Sequence, residues 1–481
     1  MIFMSVNTHD YENDVRVMIG AFYKGNKIIT DRERVGECGL LVETVIEGGH
    51  IEGMVCDAGH GNVHNIECDA SQNDRKTVRN LLKRELYHIF AELTGRQLPW
   101  GTLTGIRPVK IPLGMIEKNI PDEKIINTLR SEYLVSDAKA DLSLSVAHRE
   151  HELLQTLDYE NGFSLYVGIP FCPTTCLYCS FTSYPLSMYA GRVDEYLGAL
   201  IKELTFISEQ LKGRCPDTVY IGGGTPTTLN PRQLDRLISA IEDRFDLSRL
   251  REFTVEAGRP DSIDRRKLET LRKHGIDRIS INPQTMNQKT LDLIGRKHTV
   301  EQVAEAFCQA RDCGFDNINM DLIAGLPGEN SEDVKHTLDE VGKLAPDSLT
   351  IHSLAIKRAA GLNIFKEKYS GYRIENTEKI MDMACRYARE MGMSPYYLYR
   401  QKNMAGNFEN VGYAKPGREG LYNILIMEEK QSIFAAGANA QSKIVYNSPP
   451  RVDRIENVKS VDEYIDRVDE MVERKRRYFN G

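Results

Sequence analysis

Three of the ten cysteines stand apart from the rest. Cys172, Cys176 and Cys179 fall within eight residues, in the run Cys172-Pro-Thr-Thr-Cys176-Leu-Tyr-Cys179. The other seven, Cys38, Cys56, Cys68, Cys215, Cys308, Cys313 and Cys385, are scattered. Ten cysteines in 481 residues are far too sparse for a disulfide scaffold. In a reducing compartment a tight group points to a metal or redox site before it points to a crosslink. Thiolates are soft ligands that suit iron–sulfur clusters or zinc. A structural zinc asks for four protein ligands, and the nearest further ones here are His151 and Cys215. Three closely spaced thiolates are better suited to three irons of a 4Fe–4S cube. The fourth iron then stays open to bind a substrate or cofactor.

Other residue types further on could shape a ligand site. The run Gly222-Gly223-Gly224-Thr225-Pro226-Thr227 follows an apolar stretch, and glycines let backbone groups approach a ligand closely. Glu256, Gln284, Arg296 and Asp321 come next. A carboxylate can accept two hydroxyls, and an arginine can pair with a carboxylate bidentately. Each of these alone is more often a surface ion pair or a strand-end residue. His274, His298, His336 and His352 read as helix or loop histidines, none assigned a metal. Met286 and Met320 read as packing, and Cys308 and Cys313 as buried thiols.

The elements that must position these residues follow from periodicity. Strands are expected at SLYVGI, TVYIGG, EFTVEA, RISINP, NINMDLI and SLTIHSL. Helices are expected between them at 192–211, 231–244, 262–274, 300–313 and 331–344. Short apolar strands joined by helices imply a parallel sheet, open or an incomplete barrel. In either case ligands belong at the carboxyl ends of the strands, where the cysteines and the Gly-rich run fall. Residues 1–160 read as an N-terminal α/β or α+β accessory domain. VRVMIGAFYKG and LLVETVIEGGHIEGMV alternate there like strands, and 74–93 reads as a helix. Residues 161–360 form the alternating unit and 361–481 a smaller C-terminal domain. That last part has a helix near 375–391, the aromatic run YYLY, and a basic end, VERKRRYF, read as a solvated helix terminus.

Composition narrows the class. Hydrophobic residues make up 41% and charged residues 27%, which excludes wholesale disorder and collagen-like repeats. The 62 Lys and Arg stand against 69 Asp and Glu, a net charge of −7, so bulk nucleic-acid binding is not expected. No stretch approaches the roughly 18 apolar residues of a membrane span, and the start shows no secretion signal. A cytoplasmic protein with no membrane partner is expected.

The motif YVGIPFCPTTCLYCSF resembles the signature of radical S-adenosylmethionine (radical SAM) enzymes. In particular it looks like the oxygen-independent coproporphyrinogen III oxidase group, and the segment WGTLTGIRPVKIP looks like its HemZ-type branch. The resemblance covers roughly 163–446. It implies an α/β fold with an incomplete (β/α)6 TIM-like barrel. It implies a 4Fe–4S cluster on Cys172, Cys176 and Cys179, whose open iron chelates S-adenosyl-L-methionine (SAM) and delivers the electron that splits it. It places Gly223, Gly224 and Thr225 at the SAM amino group and Glu256 at the ribose. Gln284, Arg296 and Asp321 then surround the nucleoside and methionine. Tyr166 and Tyr178 match aromatic positions beside the cluster, and Ala355 a backbone contact to adenine. The implied reaction is oxidative decarboxylation of coproporphyrinogen III, with an electron donor such as flavodoxin or ferredoxin. Four propionates need cations, for which Arg107, Lys110, Arg400 and Lys402 are candidates, with Lys357 and Arg358 after the sixth strand. Two departures stand out: Gly168 replaces the family's His, and Phe181 stands where the best-defined dehydrogenases carry a fourth cysteine. That ending is shared with haem-chaperone-like relatives, so a haem chaperone is a competing expectation. A radical SAM enzyme modifying RNA is a third, disfavoured by the acidic charge.

Overall fold

The computed structural model describes residues 1–480 other than 106, 160, 181, 357–359, 365–368, 370, 402–403 and 448. Phe181, Lys357, Arg358 and Lys402 therefore lie outside the described residues. The chain forms two compact units, Met1–Ser145 with Arg400–Asn403, and Val146–Tyr399 with Met404–Gly481.

The first unit is a five-stranded sheet with helices. Strand Ile2–Val6 runs parallel to Ile28–Ile29 and to Leu40–Glu47, and His50–Asp57 and Asn62–Asp69 continue it antiparallel. The hairpin after Leu40–Glu47 turns on Gly48 and Gly49, with φ of 57° and 90°; a two-residue turn of this hand needs positive φ at both positions. The expected strand in VRVMIGAFYKG is overturned: its last three residues form a turn, and residues 15–22 belong to helix His9–Phe22. Thr8 caps it by accepting from the Asp10 amide, and Val15, Met18, Ile19 and Phe22 bury one face at spacings of three and four. Val15-Arg16-Val17 alternates for only three residues, too few to outweigh that stripe. Helix Arg75–Thr94, capped by Asp74, packs Val78, Leu82, Leu86 and Phe90 into the same core.

The second unit is organised by one eleven-stranded sheet. Six strands follow one another in chain order, each parallel to the next: Phe163–Ile169, Pro216–Gly223, Glu252–Gly258, Arg278–Ile281, Asn317–Ala324 and Ser348–Ser353. Helices Val193–Gln210, Pro231–Glu242, Arg265–Lys273, Val300–Asp312 and Ser331–Leu344 return the chain between them. Asn230, Thr299 and Asn330 each open their helix with a reciprocal capping box. Residues after 360 extend this same sheet at both edges. Asn410–Ala414 pairs antiparallel with the sixth strand and Ser394–Tyr399 lies outside it. On the other side Ile433–Ala436 pairs parallel with the first strand, followed by the hairpin Gln441–Asn447 and Pro450–Glu456. Strands from 361–481 thus continue the sheet of the six parallel strands.

Two smaller expectations change. Cys308 is exposed and Cys313 only half-buried, because both lie toward the outer face of their helix. The basic end is helix Val468–Asn480, but it is not solvated throughout: Lys475 is 1% exposed. Its ammonium donates to Glu203 Oε1 at 2.5 Å and to Asn457 Oδ1 at 2.9 Å. Glu203, itself 0% exposed, also accepts from the Tyr464 hydroxyl, Asn457 Nδ2 and the Gly437 amide.

Candidate functional site

The cysteine run begins where the first parallel strand ends. Cys172 lies on the short strand Phe171–Cys172, which pairs with Tyr184–Pro185 and so returns the loop to its own start. Cys176 is buried, and Cys172 and Cys179 are half-buried. The loop is pinned to one neighbouring turn: the Leu177 amide donates to the Ile294 carbonyl at 2.9 Å and the Thr174 hydroxyl to the Gly295 carbonyl at 3.2 Å.

The Gly-rich run sits beside it. The Gly224 amide donates to the Ile169 carbonyl and the Thr225 amide to the Phe171 carbonyl, both at 2.7 Å. Thr225 Oγ1 lies 3.5 Å from Cys172 Sγ. A Cβ on Gly224 would meet the Phe171 carbonyl oxygen at 2.6 Å, so only glycine allows this approach. Gly223, at φ 108°, donates its amide to Glu256 Oε2 at 3.2 Å. Glu256 Oε1 accepts from the Tyr220 hydroxyl at 2.5 Å. Burial, with the Asp321 carboxylate adding to it, pushes the Glu256 carboxyl up to about 7 despite the Tyr220 bond.

Gly223 and Glu256 border a cavity of about 160 Å³ lined also by Tyr166, Gly168, Ala438 and Asn439, among others. Beside it three tyrosine rings are stacked: Tyr220 on Tyr422 at 4.4 Å and 20°, and Tyr166 on both at 6.2 Å. Burial, with Glu256 nearby, raises the Tyr166 and Tyr220 phenols and keeps them protonated. Gly168 lines the cavity with backbone alone, and a Cβ there would be crowded, 3.3 Å from the Ala436 carbonyl oxygen and 3.5 Å from the Tyr166 ring.

The remaining expected residues divide. Asp321, on the fifth strand, accepts from Asn319 Nδ2 at 2.7 Å and faces His352 Nε2 at 3.6 Å. Burial raises its carboxyl, but His352, Asn319 and Thr350 together outweigh this and hold it below the usual range. Arg296 is buried and hydrogen-bonded to Tyr178 and Cys176, so it stands at the cysteine loop. Ala355 forms a backbone bridge with Met404. Gln284 is not brought to the 160 Å³ cavity: it lines a separate void with Leu322, Glu329 and Thr337. Its φ of 69° lets its amide and carbonyl bond Asp321 and Ile323 of the neighbouring strand. Among the expected cations, Arg400 is 9% exposed, donates to the Leu103 carbonyl and lies over Trp100 at 5.8 Å, all within the first unit. Arg107 is half-buried in a loop and Lys110 is exposed at the start of helix Lys110–Ile116.

Sequence reasoning missed Tyr220, Tyr422, Arg259 and Asp261, and grouped His352 with helix or loop histidines although it falls in the expected strand SLTIHSL, where the structure places it. The alternation of Thr218, Tyr220 and Gly222 within one strand was the signal for Tyr220. Arg259 directly follows the third strand, the end where ligand residues are expected.

The radical SAM superfamily pattern matches residues 166–341. The chain is 41% identical over 407 residues to the oxygen-independent coproporphyrinogen-III oxidase-like protein HemZ of Bacillus subtilis, covering 84% of this chain and 81% of that protein. The chain belongs to the HemN/HemZ-type radical SAM family. The heme chaperone HemW of the same organism is 33% identical over 310 residues, 64% of this chain and 76% of its own. The solved coproporphyrinogen III oxidase HemN of Escherichia coli superposes with a TM-score of 0.53 at 24% identity, over 67% of this chain and 73% of that one. That likeness concerns the fold.

Membership of a radical SAM family implies a 4Fe–4S cluster and SAM, and the residues fit both. The donor set is three soft thiols, with Arg296 Nε buried and unsatisfied beside them. Among the described residues no three His, Cys, Asp or Glu side chains converge on a single metal ion. Thiols that each take a different corner of a cube need no common point. No helix among the described residues is long and apolar enough to cross a membrane.

Proposed function

We propose that Cys172, Cys176 and Cys179 hold a 4Fe–4S cluster, that SAM lies against Gly223, Gly224, Thr225 and Glu256, and that the chain oxidatively decarboxylates coproporphyrinogen III. One observation carries the reading. The thiols, the Gly-rich turn and Glu256 meet at the carboxyl ends of adjacent strands, linked through Thr225 to Cys172 and Gly223 to Glu256. Such a cluster, when bound, supplies the electron that splits SAM. The protein's own part is to orient and to exclude water. Gly223 and Gly224 bring backbone to the ligand, Glu256 accepts ribose hydroxyls, and Tyr166, Tyr220 and Tyr422 wall off one side. The porphyrin part of the reading draws on the HemZ and HemN relatives, and an electron donor of flavodoxin or ferredoxin type completes it.

Gly168, which lines the cavity with no side chain, and the HemW relative favour a second reading, a haem chaperone on the same barrel. Anaerobic incubation of reconstituted protein with SAM, reductant and coproporphyrinogen III separates the two. Two successive losses of carboxyl mass from the porphyrin are expected. Haem retained through purification with no vinyl product would establish the chaperone instead.

Glu256→Gln should weaken SAM binding by about 1.5–3 kcal/mol, the scale of a hydrogen bond to a charged group, while iron content stays at the wild-type level. Calorimetric titration with SAM checks this, and unchanged affinity would leave Glu256 a partner of Tyr220 and the Gly223 amide only. The same variant tests the raised carboxyl. A folded-state pKa of about 7 against an unfolded 4.5 means the folded protein binds the extra proton between them. Its contribution to stability therefore falls as pH rises across that window and stays lost above it. Glu256→Gln should flatten that slope in urea melts of the apo protein.

A further inference from the structure

One buried cation beside the cysteine loop has no part in the reading above. Arg259 follows the third parallel strand, is 3% exposed, and turns its guanidinium onto the loop. Its Nη1 donates to the Thr174 carbonyl at 3.1 Å, the Thr174 hydroxyl at 2.8 Å and the Cys176 sulfur at 3.7 Å. Its Nε and Nη2 donate to the two carboxylate oxygens of Asp261 at 2.9 and 2.7 Å. Asp261 lies in the short turn Pro260–Ser262, and the Ser262 hydroxyl donates to the Arg259 carbonyl at 2.7 Å. A fork-to-fork pair of this kind fixes the guanidinium plane, so the edge bearing Nη1 is held toward Cys176.

The charges around that sulfur do not cancel. Arg296 also hydrogen-bonds Cys176. His298 is 0% exposed, and its Nδ1 lies 4.0 Å from Asp261. Burial first, and Arg296 next, lower its pKa to about 4, so it is neutral near pH 7. Two guanidinium groups thus face one carboxylate beside a single thiol, in a place where little water screens them.

We propose that Arg259 is a positioning residue that, through its N–H···S bond to Cys176 and its fixed charge, raises the reduction potential of the iron–sulfur centre held there. The proposal rests on the cluster reading of Cys172, Cys176 and Cys179. One-electron reduction adds one negative charge to the thiolate-bound iron, with no proton moved and no bond broken at Arg259. A hydrogen bond to a ligand sulfur and a net positive field both favour the more negative state, and these are among the factors that set such potentials. The electron comes from an external low-potential one-electron donor.

The test compares anaerobically reconstituted wild type, Arg259→Lys and Asp261→Asn. Iron and sulfide are counted first, then the midpoint is read by mediated dithionite titration with electron paramagnetic resonance, in the absence of SAM. Arg259→Lys removes the fork and should make reduction about tenfold less favourable, about 59 mV for one electron. Asp261→Asn keeps the guanidinium but removes its counter-charge and should move the midpoint the other way. Midpoints equal to wild type in variants with full iron and sulfide would overturn the proposal. If Arg259→Lys loses its iron, Asp261→Asn decides alone. If neither variant holds iron, Arg259 is a clamp on Thr174 and the proposal falls. Absence of iron and sulfide in the wild type would instead overturn the cluster reading itself, so the two failures are told apart.

Discussion

Replacing Cys172, Cys176 or Cys179 by alanine is expected to abolish SAM cleavage. Each variant should also lose most of its iron and sulfide after anaerobic reconstitution. The reason is ligand arithmetic: an open cube has three protein thiolates, and two cannot hold it at an open site. Burial adds a second reason. It pushes the Cys172 thiol up, with only partial relief from the Thr225 hydroxyl, so the thiolate state depends on the iron that would bind it. Formation of 5′-deoxyadenosine and methionine, followed by chromatography, is the measurement. Circular dichroism keeps the interpretation clean, since the loop lies outside the six parallel strands and the apo variants should retain their helix content. Wild-type cleavage by any of the three variants would remove that cysteine from the ligand set.

Lys475→Met should destabilise the protein by about 3–5 kcal/mol, the usual cost of leaving a buried charge without its partner. Glu203 would keep its Asn457, Tyr464 and Gly437 contacts but lose the ammonium that neutralises it. Adding Glu203→Gln should recover part of the loss, because the double variant buries no net charge. Urea denaturation of the three proteins measures both terms. The effect should also reach the cavity. Glu203 accepts from the Gly437 amide, Tyr196 accepts from the Ala438 amide and donates to the Gly168 carbonyl at 2.7 Å, and Ala438, Asn439 and Gly168 line the cavity. A loosened C-terminal helix should therefore weaken SAM binding as well as lower stability.

The parallel strands and most of their helices were legible because each carries an unbroken apolar run or a clear 3.6-residue stripe. Ser331–Leu344 agrees with its expected span to the residue. The cysteine loop and Gly-rich turn were legible because chemistry constrains both type and spacing. The strand misread at Val15–Val17 shows the limit of short alternation, where three residues cannot outvote a helical face of four buried ones. Lys475 was misread because charge in sequence says nothing about a partner 272 residues away. Long-range pairing also hid the sheet's flanks: Ile433–Ala436 and Asn410–Ala414 join the barrel strands only through partners that no local pattern encodes. Tyr422 was invisible for the same reason, since only folding stacks it on Tyr220.

The pairing of Ile433–Ala436 with Phe163–Ile169 has a consequence for synthesis. The strand that leads directly into the cysteines is completed on one side by chain made 269 residues later, where Ile433 pairs with Ser164. At translation rates of 5–20 residues per second, roughly 15–50 s pass before that neighbour leaves the ribosome. Throughout that interval the nascent chain presents an unpaired edge of apolar strand beside three reactive thiols. Expression at lower temperature or under strict anaerobiosis should therefore raise the soluble, cysteine-intact yield more than it would for a fold whose edges close in sequence order.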